Sequence, residues 1–178
     1  MADLSQVHGR EVVLAEPGIR RPRADGIVTD RPDVVLLVRA ADCVPVLFAD
    51  PVAGVAGAAH AGRQGVAAGV VPATIAAMRD LGARDVVAWI GPHVCGACYE
   101  VPADLQAEVV AVVPETVATT TWGTPSLDLG AGVRAQLEAA GVRVEDAARC
   151  TRESPDLYSY RRDGRDSGRL AGVVRLRS

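Results

Sequence analysis

Between residues 34 and 59 three apolar runs follow one another with only short turns between them, so three consecutive strands are the strongest constraint on the fold. Val34-Val35-Leu36-Leu37-Val38 is continuous and follows the turn residues Asp30, Pro32 and Asp33. Val46-Leu47-Phe48 comes next, and Asp50-Pro51 turns the chain into a third run, Gly54 to Ala59. Runs that do not alternate with polar residues predict strands covered on both faces. The third is built almost wholly of alanine and glycine, which lets another backbone approach it closely.

From Gly65 the period changes. Val66, Val70, Ala73, Ala77 and Leu81 recur every three or four residues and Gly82 supplies a left-handed stop, so one amphipathic helix is predicted, with Pro72 its single awkward residue. Val86 to Ile90 predicts a further strand ended by Gly91-Pro92. Helices are predicted over Leu105 to Val113 and Leu129 to Ala140, the second started by Ser126 or Asp128 and ended by Gly141, with Leu129, Val133 and Leu137 as its core stripe. The C-terminal part reads as a hairpin, Leu157 to Tyr160 and Leu170 to Leu176 joined by a polar turn through Asp163 to Gly168. This alternation implies an α/β or α+β domain, and pattern alone does not choose between them.

The 178 residues fit one domain able to bury roughly 70% of its unfolded surface. Aromatic residues are only 3% of the chain, so valine, alanine and leucine must fill the core and a base-stacking platform for nucleic acid is not expected. A net charge of -3 also argues against coating a polyanion. All 19 basic residues are arginine, gathered at Arg20, Arg21 and Arg23 and again at Arg161, Arg162, Arg165 and Arg169. That distribution is compatible with a local anion site and equally with a solvated surface. Four cysteines are too few for a disulfide scaffold, and Met1 to Arg10 carries no apolar run, so reduced thiols, no leader, no membrane span and a cytoplasmic protein are expected.

Ala41-Asp42-Cys43 closes the first run and His60, between Ala59 and Ala61, closes the third, so a thiol and an imidazole emerge from neighbouring strand ends. Those residue types serve a catalytic metal or a nucleophile and its base. By type alone Cys43 equally fits a small buried apolar residue, and His8 a surface histidine. Asp42 can orient a ligand, accept a proton or cap a turn. Cys95-Gly96-Ala97-Cys98 is a CxxC that fits a redox pair or half of a structural zinc site; no second CxxC exists, and His93 is the nearby imidazole.

Five segments in order carry a resemblance: Gln6-Val7-His8-Gly9, Ala40-Ala41-Asp42-Cys43-Val44-Pro45-Val46, His60-Ala61-Gly62, Gly91-Pro92 with Cys98-Tyr99-Glu100-Val101, and Ser159-Tyr160-Arg161-Arg162-Asp163-Gly164. Together they resemble the YfiH-type family, variously labelled multicopper polyphenol oxidase or laccase domain, peptidoglycan editing factor, and zinc-dependent purine nucleoside phosphorylase. The resemblance implies an α+β fold, mixed β-sheets in a sandwich flanked by helices, with a metal in a pocket at loop ends. It also implies that His8, Cys43 and His60 bind one zinc ion, leaving its fourth position open. Asp42, Cys43 and His60 are then the catalytic group, and Arg161 or Arg162 hold phosphate or nucleoside.

The activity so implied is phosphorolysis of adenosine, inosine or guanosine, with adenosine deamination at the same site, by a monomer or homodimer that takes a small purine nucleoside and phosphate. Copper-dependent phenol oxidation is a second possibility, though three histidines are too few for a multicopper centre. A third is a metal-free hydrolase acting on a peptidoglycan precursor, with Cys43 as nucleophile and His60 as base. Two departures stand out. Arg63-Gln64-Gly65 replaces the family's usual Trp-Arg-Gly, and the chain begins almost at Gln-Val-His, so a single domain spanning 1–178 without the family's N-terminal region is expected.

Overall fold

The first two apolar runs enter different sheets, and the bend between them organises the molecule. The computed structural model describes residues 1–177. Its strands and helices in chain order are β1 (Ala2–Asp3), β2 (Val12–Leu14), β3 (Gly26–Thr29), β4 (Val35–Ala40), β5 (Val44–Asp50), β6 (Val55–Ala61), α1 (Arg63–Ala68), α2 (Val70–Asp80), β7 (Val87–Ile90), α3 (Ala103–Val110), β8 (Val117–Thr119), β9 (Pro125–Leu127), α4 (Leu129–Ala139), β10 (Arg143–Asp146), α5 (Tyr160–Asp163) and β11 (Leu170–Arg175). A six-stranded sheet runs β10-β7-β5-β6-β3-β2, a three-stranded one β1-β4-β11, and β8 pairs with β9. Both larger sheets are mixed: β10 with β7, β2 with β3 and β1 with β4 are parallel, and their remaining pairs antiparallel. The fold is thus the expected α+β sandwich.

Strand β6 lies at its centre, and all seven of its residues are buried. Successive side chains point to opposite faces. Val55, Ala59 and Ala61 join the core formed with α2 and α4 through Ile75, Met78, Val133 and Leu137. Ala56 and Ala58 join the core against Leu36 and Val38 of β4. Gly57 faces Met78, whose sulfur would stand 2.8 Å from a Cβ placed there. Small residues are what allow a helical layer and a second sheet to press on one strand at once.

The helix predicted from residue 65 is two helices. Gly69 adopts the left-handed conformation, φ 83°, ending α1 and starting α2. Pro72 falls in the first turn of α2, where a missing N–H breaks no helical bond, so it is not awkward at all. Asp128, of the two caps proposed, starts α4 by accepting the Ala131 N–H at 2.8 Å. The C-terminal hairpin does not form. Leu170–Arg175 pairs instead with Val35–Ala40, and Tyr160–Asp163 is a helical turn capped by Ser159. Among the described residues no helix is long and apolar enough to cross a membrane.

Phe48, the chain's one phenylalanine, is fully buried on β5 in the core beneath α2 and α4. Phe48→Ala is expected to cost about 3–5 kcal/mol, read as a lower midpoint in urea or guanidinium denaturation.

Candidate active site

Cys43 lies in the bend where the chain passes from β4 to β5, that is, from one sheet to the other. The turn is sharp: Asp42 has φ 83°. Such a conformation costs of order 1–3 kcal/mol and persists only where surroundings fix it. Here the Asp42 carboxylate accepts the Thr151 hydroxyl at 2.7 Å and the Arg161 N–H at 2.6 Å, while its carbonyl accepts the Val94 N–H at 3.1 Å. Asp42 therefore clamps three segments to the cysteine-bearing bend.

His60, near the end of β6, shares a face with Ala56 and Ala58 and points between the sheets. His8 sits in the loop between β1 and β2 and, unusually for a residue with a side chain, has φ 62°. Asp25, just ahead of β3, controls both histidines. Its two carboxylate oxygens accept the N–H groups of Val7 at 3.1 Å, His8 at 3.0 Å and Gly9 at 2.7 Å. The same carboxylate takes the His60 Nδ1–H at 2.8 Å, and the Asp25 carbonyl accepts the His60 N–H at 2.8 Å. Because a carboxylate can only accept, His60 must carry a proton on Nδ1 whether the ring is neutral or charged, which leaves Nε2 as the nitrogen that faces Cys43 or could bind a metal. Sequence reasoning missed Asp25; its only signal was a lone acid between Ala24 and the buried strand Gly26–Thr29.

The donor atoms of His8, Cys43 and His60 lie within 4.8 Å of one another. Cys43 Sγ is 3.8 Å from His8 Nε2, and the two imidazoles meet edge to face with centroids 4.9 Å apart. Gly62 leaves the room for this meeting: a Cβ there would stand 2.6 Å from the His8 ring and 3.1 Å from Cys43 Sγ. Two imidazoles and a thiolate, one ring oriented by a buried carboxylate, fit a borderline-soft divalent ion. A second cluster, Cys95, Cys98, Cys150 and Glu153, is also spaced to hold one. His93 is not part of it; its Nδ1 donates to the Gly91 carbonyl at 2.8 Å and its other nitrogen faces Gly130 of α4.

Burial would raise Cys43, but its interactions with His60 and His8 outweigh that and bring it from 9.0 down to about 7. Burial would lower His60, but the Asp25 carboxylate and the Cys43 sulfur carry it from 6.5 up to about 9. Burial would also raise Asp25, yet the His60 ring and the three backbone N–H groups hold it below the usual carboxylate value. Without a metal, then, thiolate and imidazolium coexist between about pH 7 and 9. In the other cluster burial first, then Cys150 and Cys98, push the Cys95 thiol up to about 12.

The three donors open on a cavity of about 660 Å³. Arg21 and Arg39 from the N-terminal half and Arg161 and Arg169 from the C-terminal part line it with Tyr99 and Tyr160. Residues from both arginine-rich stretches thus meet at one cavity. Arg161 stacks on Tyr99, its guanidinium carbon 4.5 Å from the ring centroid. Arg162 points elsewhere, donating to the carbonyls of Thr151, Arg152, Ser154 and Leu157. Of the adjacent pair only Arg161 lines the cavity, and both lie in the helical turn Tyr160–Asp163.

Residues 1–177 match the family model described as multi-copper polyphenol oxidoreductase laccase. The chain belongs to that family. A relative from Streptomyces coelicolor, named as a purine nucleoside phosphorylase, is 56% identical over 180 residues, covering 97% of this chain and 74% of its own. A crystal structure of a Neisseria meningitidis protein superposes with a TM-score of 0.88 at 35% identity, over 99% of this chain and 75% of that one. YfiH of Bacillus licheniformis gives 0.88 at 30%, over 98% and 73%. The family recognised from the five motifs is therefore the one these proteins share.

In chelator-treated protein, carboxymethylation of Cys43 should reach half its maximal rate near pH 7 rather than 9, because the thiolate is the reactive form. Asp25→Asn removes the charge that keeps His60 protonated, so the midpoint should move upward. A midpoint near 9 in the unmutated chain would contradict the ion pair.

Proposed function

We propose that this chain is a zinc-dependent purine nucleoside phosphorylase that takes adenosine, inosine or guanosine with inorganic phosphate and deaminates adenosine in the same cavity. The observation that carries this reading is the donor set of His8, Cys43 and His60 opening directly on an arginine-lined cavity. The name of the Streptomyces coelicolor relative supports the phosphorolysis of a purine nucleoside. Zinc bound by these residues would supply a Lewis acid with one coordination position open.

The protein's own part is to hold the reactants and meet their charge. Arg161, braced on Tyr99 and donating to the Glu100 carbonyl at 2.7 Å, presents a fixed cation to phosphate. Arg21, Arg39 and Arg169 extend the positive lining, with Arg21 and Arg39 partly neutralised by Asp3 at 3.3 Å each. Tyr99 and Tyr160 give the cavity aromatic surface against which a purine can pack. A phosphate oxygen bonds to C1′ as the bond from C1′ to the base nitrogen breaks, and the proton that hydrogen phosphate gives up ends on the leaving base nitrogen. Asp42, with both carboxylate oxygens engaged, is a positioning residue in this scheme, and Arg162 holds the 151–157 loop.

The thiolate–imidazolium pair favours a second reading, a Cys-His hydrolase acting without metal on an acyl substrate such as a peptidoglycan precursor. Copper phenol oxidation is weaker: only two of the three histidines share a metal-spaced group.

Inosine, phosphate and zinc-loaded protein should yield hypoxanthine and ribose 1-phosphate. Chelation should stop the reaction and zinc restore it. Asp25→Asn should weaken zinc binding or activity about 10- to 100-fold. Arg161→Ala should raise KM for phosphate about 10-fold or more, the size of a lost charge-assisted bond, while Asp42→Asn should raise KM more than it lowers kcat. No hypoxanthine from the zinc-loaded protein, together with a trapped acyl-thioester on Cys43, would transfer the case to the hydrolase.

A further inference from the structure

Cys95, Cys98, Cys150 and Glu153 are not needed for the chemistry proposed above, yet their donor atoms all lie within 4.8 Å of one another. Four ligands around tetrahedral zinc with sulfur at 2.3 Å stand about 3.8 Å apart, so the cluster is close to that size as it is. We propose that these four residues form a second, structural zinc site that ties the 91–101 loop to the 147–159 loop.

The sequence spacing suits the task. Cys95-Gly96-Ala97-Cys98 and Cys150-Thr151-Arg152-Glu153 are two copies of one chelating unit, a thiol and a second donor three residues on. Each is folded into a tight turn. The Cys95 carbonyl accepts the N–H groups of Cys98 and Tyr99, both at 3.0 Å, and the Cys150 carbonyl accepts that of Ser154 at 3.0 Å. The turns are held face to face by the ladder of His93 N–H to the Arg149 carbonyl at 3.1 Å and Thr151 N–H to the His93 carbonyl at 3.0 Å. The Cys95 N–H points at Cys150 Sγ, 3.5 Å away, a contact of the kind that orients and stabilises a ligating sulfur. Gly96 lies against Asp128 and Ala118, where a Cβ would stand 2.9 and 3.0 Å from theirs, so the first turn is pressed into the fold.

Three thiolates and a carboxylate fill a tetrahedral ion completely, which makes the site closed and structural where that of His8, Cys43 and His60 is open. Its position explains what it would fix. Cys98 is followed by Tyr99, the platform for Arg161, and Cys150 by Thr151, which holds Asp42. Locking the two turns together locks two walls of the cavity.

The test uses Cys43→Ser, which removes the thiolate of the open site and leaves the second cluster whole. After dialysis this full-length variant should retain about one zinc per chain by mass spectrometry, and none once Cys150→Ser is added. Cobalt in place of zinc should give thiolate-to-metal charge-transfer absorption in Cys43→Ser that disappears with Cys150→Ser. Since the double variant could misfold, exposed Glu153 offers a milder probe. With circular dichroism unchanged, Cys43→Ser/Glu153→Ala should release zinc to a chromophoric chelator about 10-fold faster or more, at least matching the loss of an outer ligand partner. A Cys43→Ser chain without zinc, a zinc content indifferent to Cys150→Ser, or a Cys95–Cys150 disulfide in protein isolated under reducing conditions would overturn the proposal. Release unaffected by Glu153→Ala would overturn Glu153 as a ligand. None of these readouts depends on which reaction the open site performs.

Discussion

One buried carboxylate, Asp25, positions two of the three donors of the open site. It accepts four hydrogen bonds through its side chain and a fifth through its carbonyl, and these fix the loop that carries His8 as well as the ring and backbone of His60. A carboxylate with no solvent exposure is costly unless fully paired, and here the pairing is what shapes the site. Its effect reaches the third donor indirectly. The charge on Asp25 keeps His60 protonated in the metal-free chain, and His60 in turn draws the Cys43 proton off near pH 7. As a depressed carboxylic acid, Asp25 contributes stability above its unfolded pKa and loses it only as pH falls through its lower folded value.

The sandwich supplies the rigid frame that this arrangement needs. Cys43 stands where the chain changes sheet, and His60 sits in the strand buried between the layers. A bend from one sheet to another demands an unusual backbone, met by Asp42 at φ 83° and stabilised from 109 and 119 residues away by Thr151 and Arg161. Strain at Asp42 and His8 thus falls beside the donors, where surrounding hydrogen bonds fix it. The C-terminal segment, once expected to pair with itself, is drawn over the site by those same bonds. Its strand β11 completes the small sheet against β4 in a register that runs from Leu170 opposite Ala40 to Arg175 opposite Val35, longer than the run Leu157 to Tyr160 could offer in a local hairpin.

How far the site can be read from sequence depends on whether a residue acts by its own chemistry. His8, Cys43 and His60 are legible because thiols and imidazoles are rare and sit in recognisable motifs, and the apolar runs 34–38, 46–48 and 54–59 fall on true strands, with Val34 and Gly54 one residue ahead of β4 and β6. Asp25 was missed because its partners lie 16 to 18 and 35 residues off and no local pattern marks them. Glu153 was missed because a search for a second CxxC does not admit a carboxylate in the last place. Gly69 was read through because the 3.6-residue period continues across it, and periodicity registers which face is buried, not where the backbone breaks. The short strands Val12–Leu14, Val117–Thr119 and Pro125–Leu127 carry too few residues for any period to show.

The two donor clusters differ in a way that follows from their supports. The open site takes its residues from strand ends and a loop pinned by Asp25, all set by the sandwich core. The thiol cluster takes all four from two loops beyond the ends of β7 and β10, joined to each other by a few backbone bonds. Loops of this kind are the first parts of a fold to open locally. Yet Tyr99 and Thr151, through which the cavity wall and the Asp42 clamp are held, belong to these loops. The frame of the open site is therefore secured by the core on one side and only by loops on the other, and a cross-link between those loops is the economical means of making the second side as firm as the first.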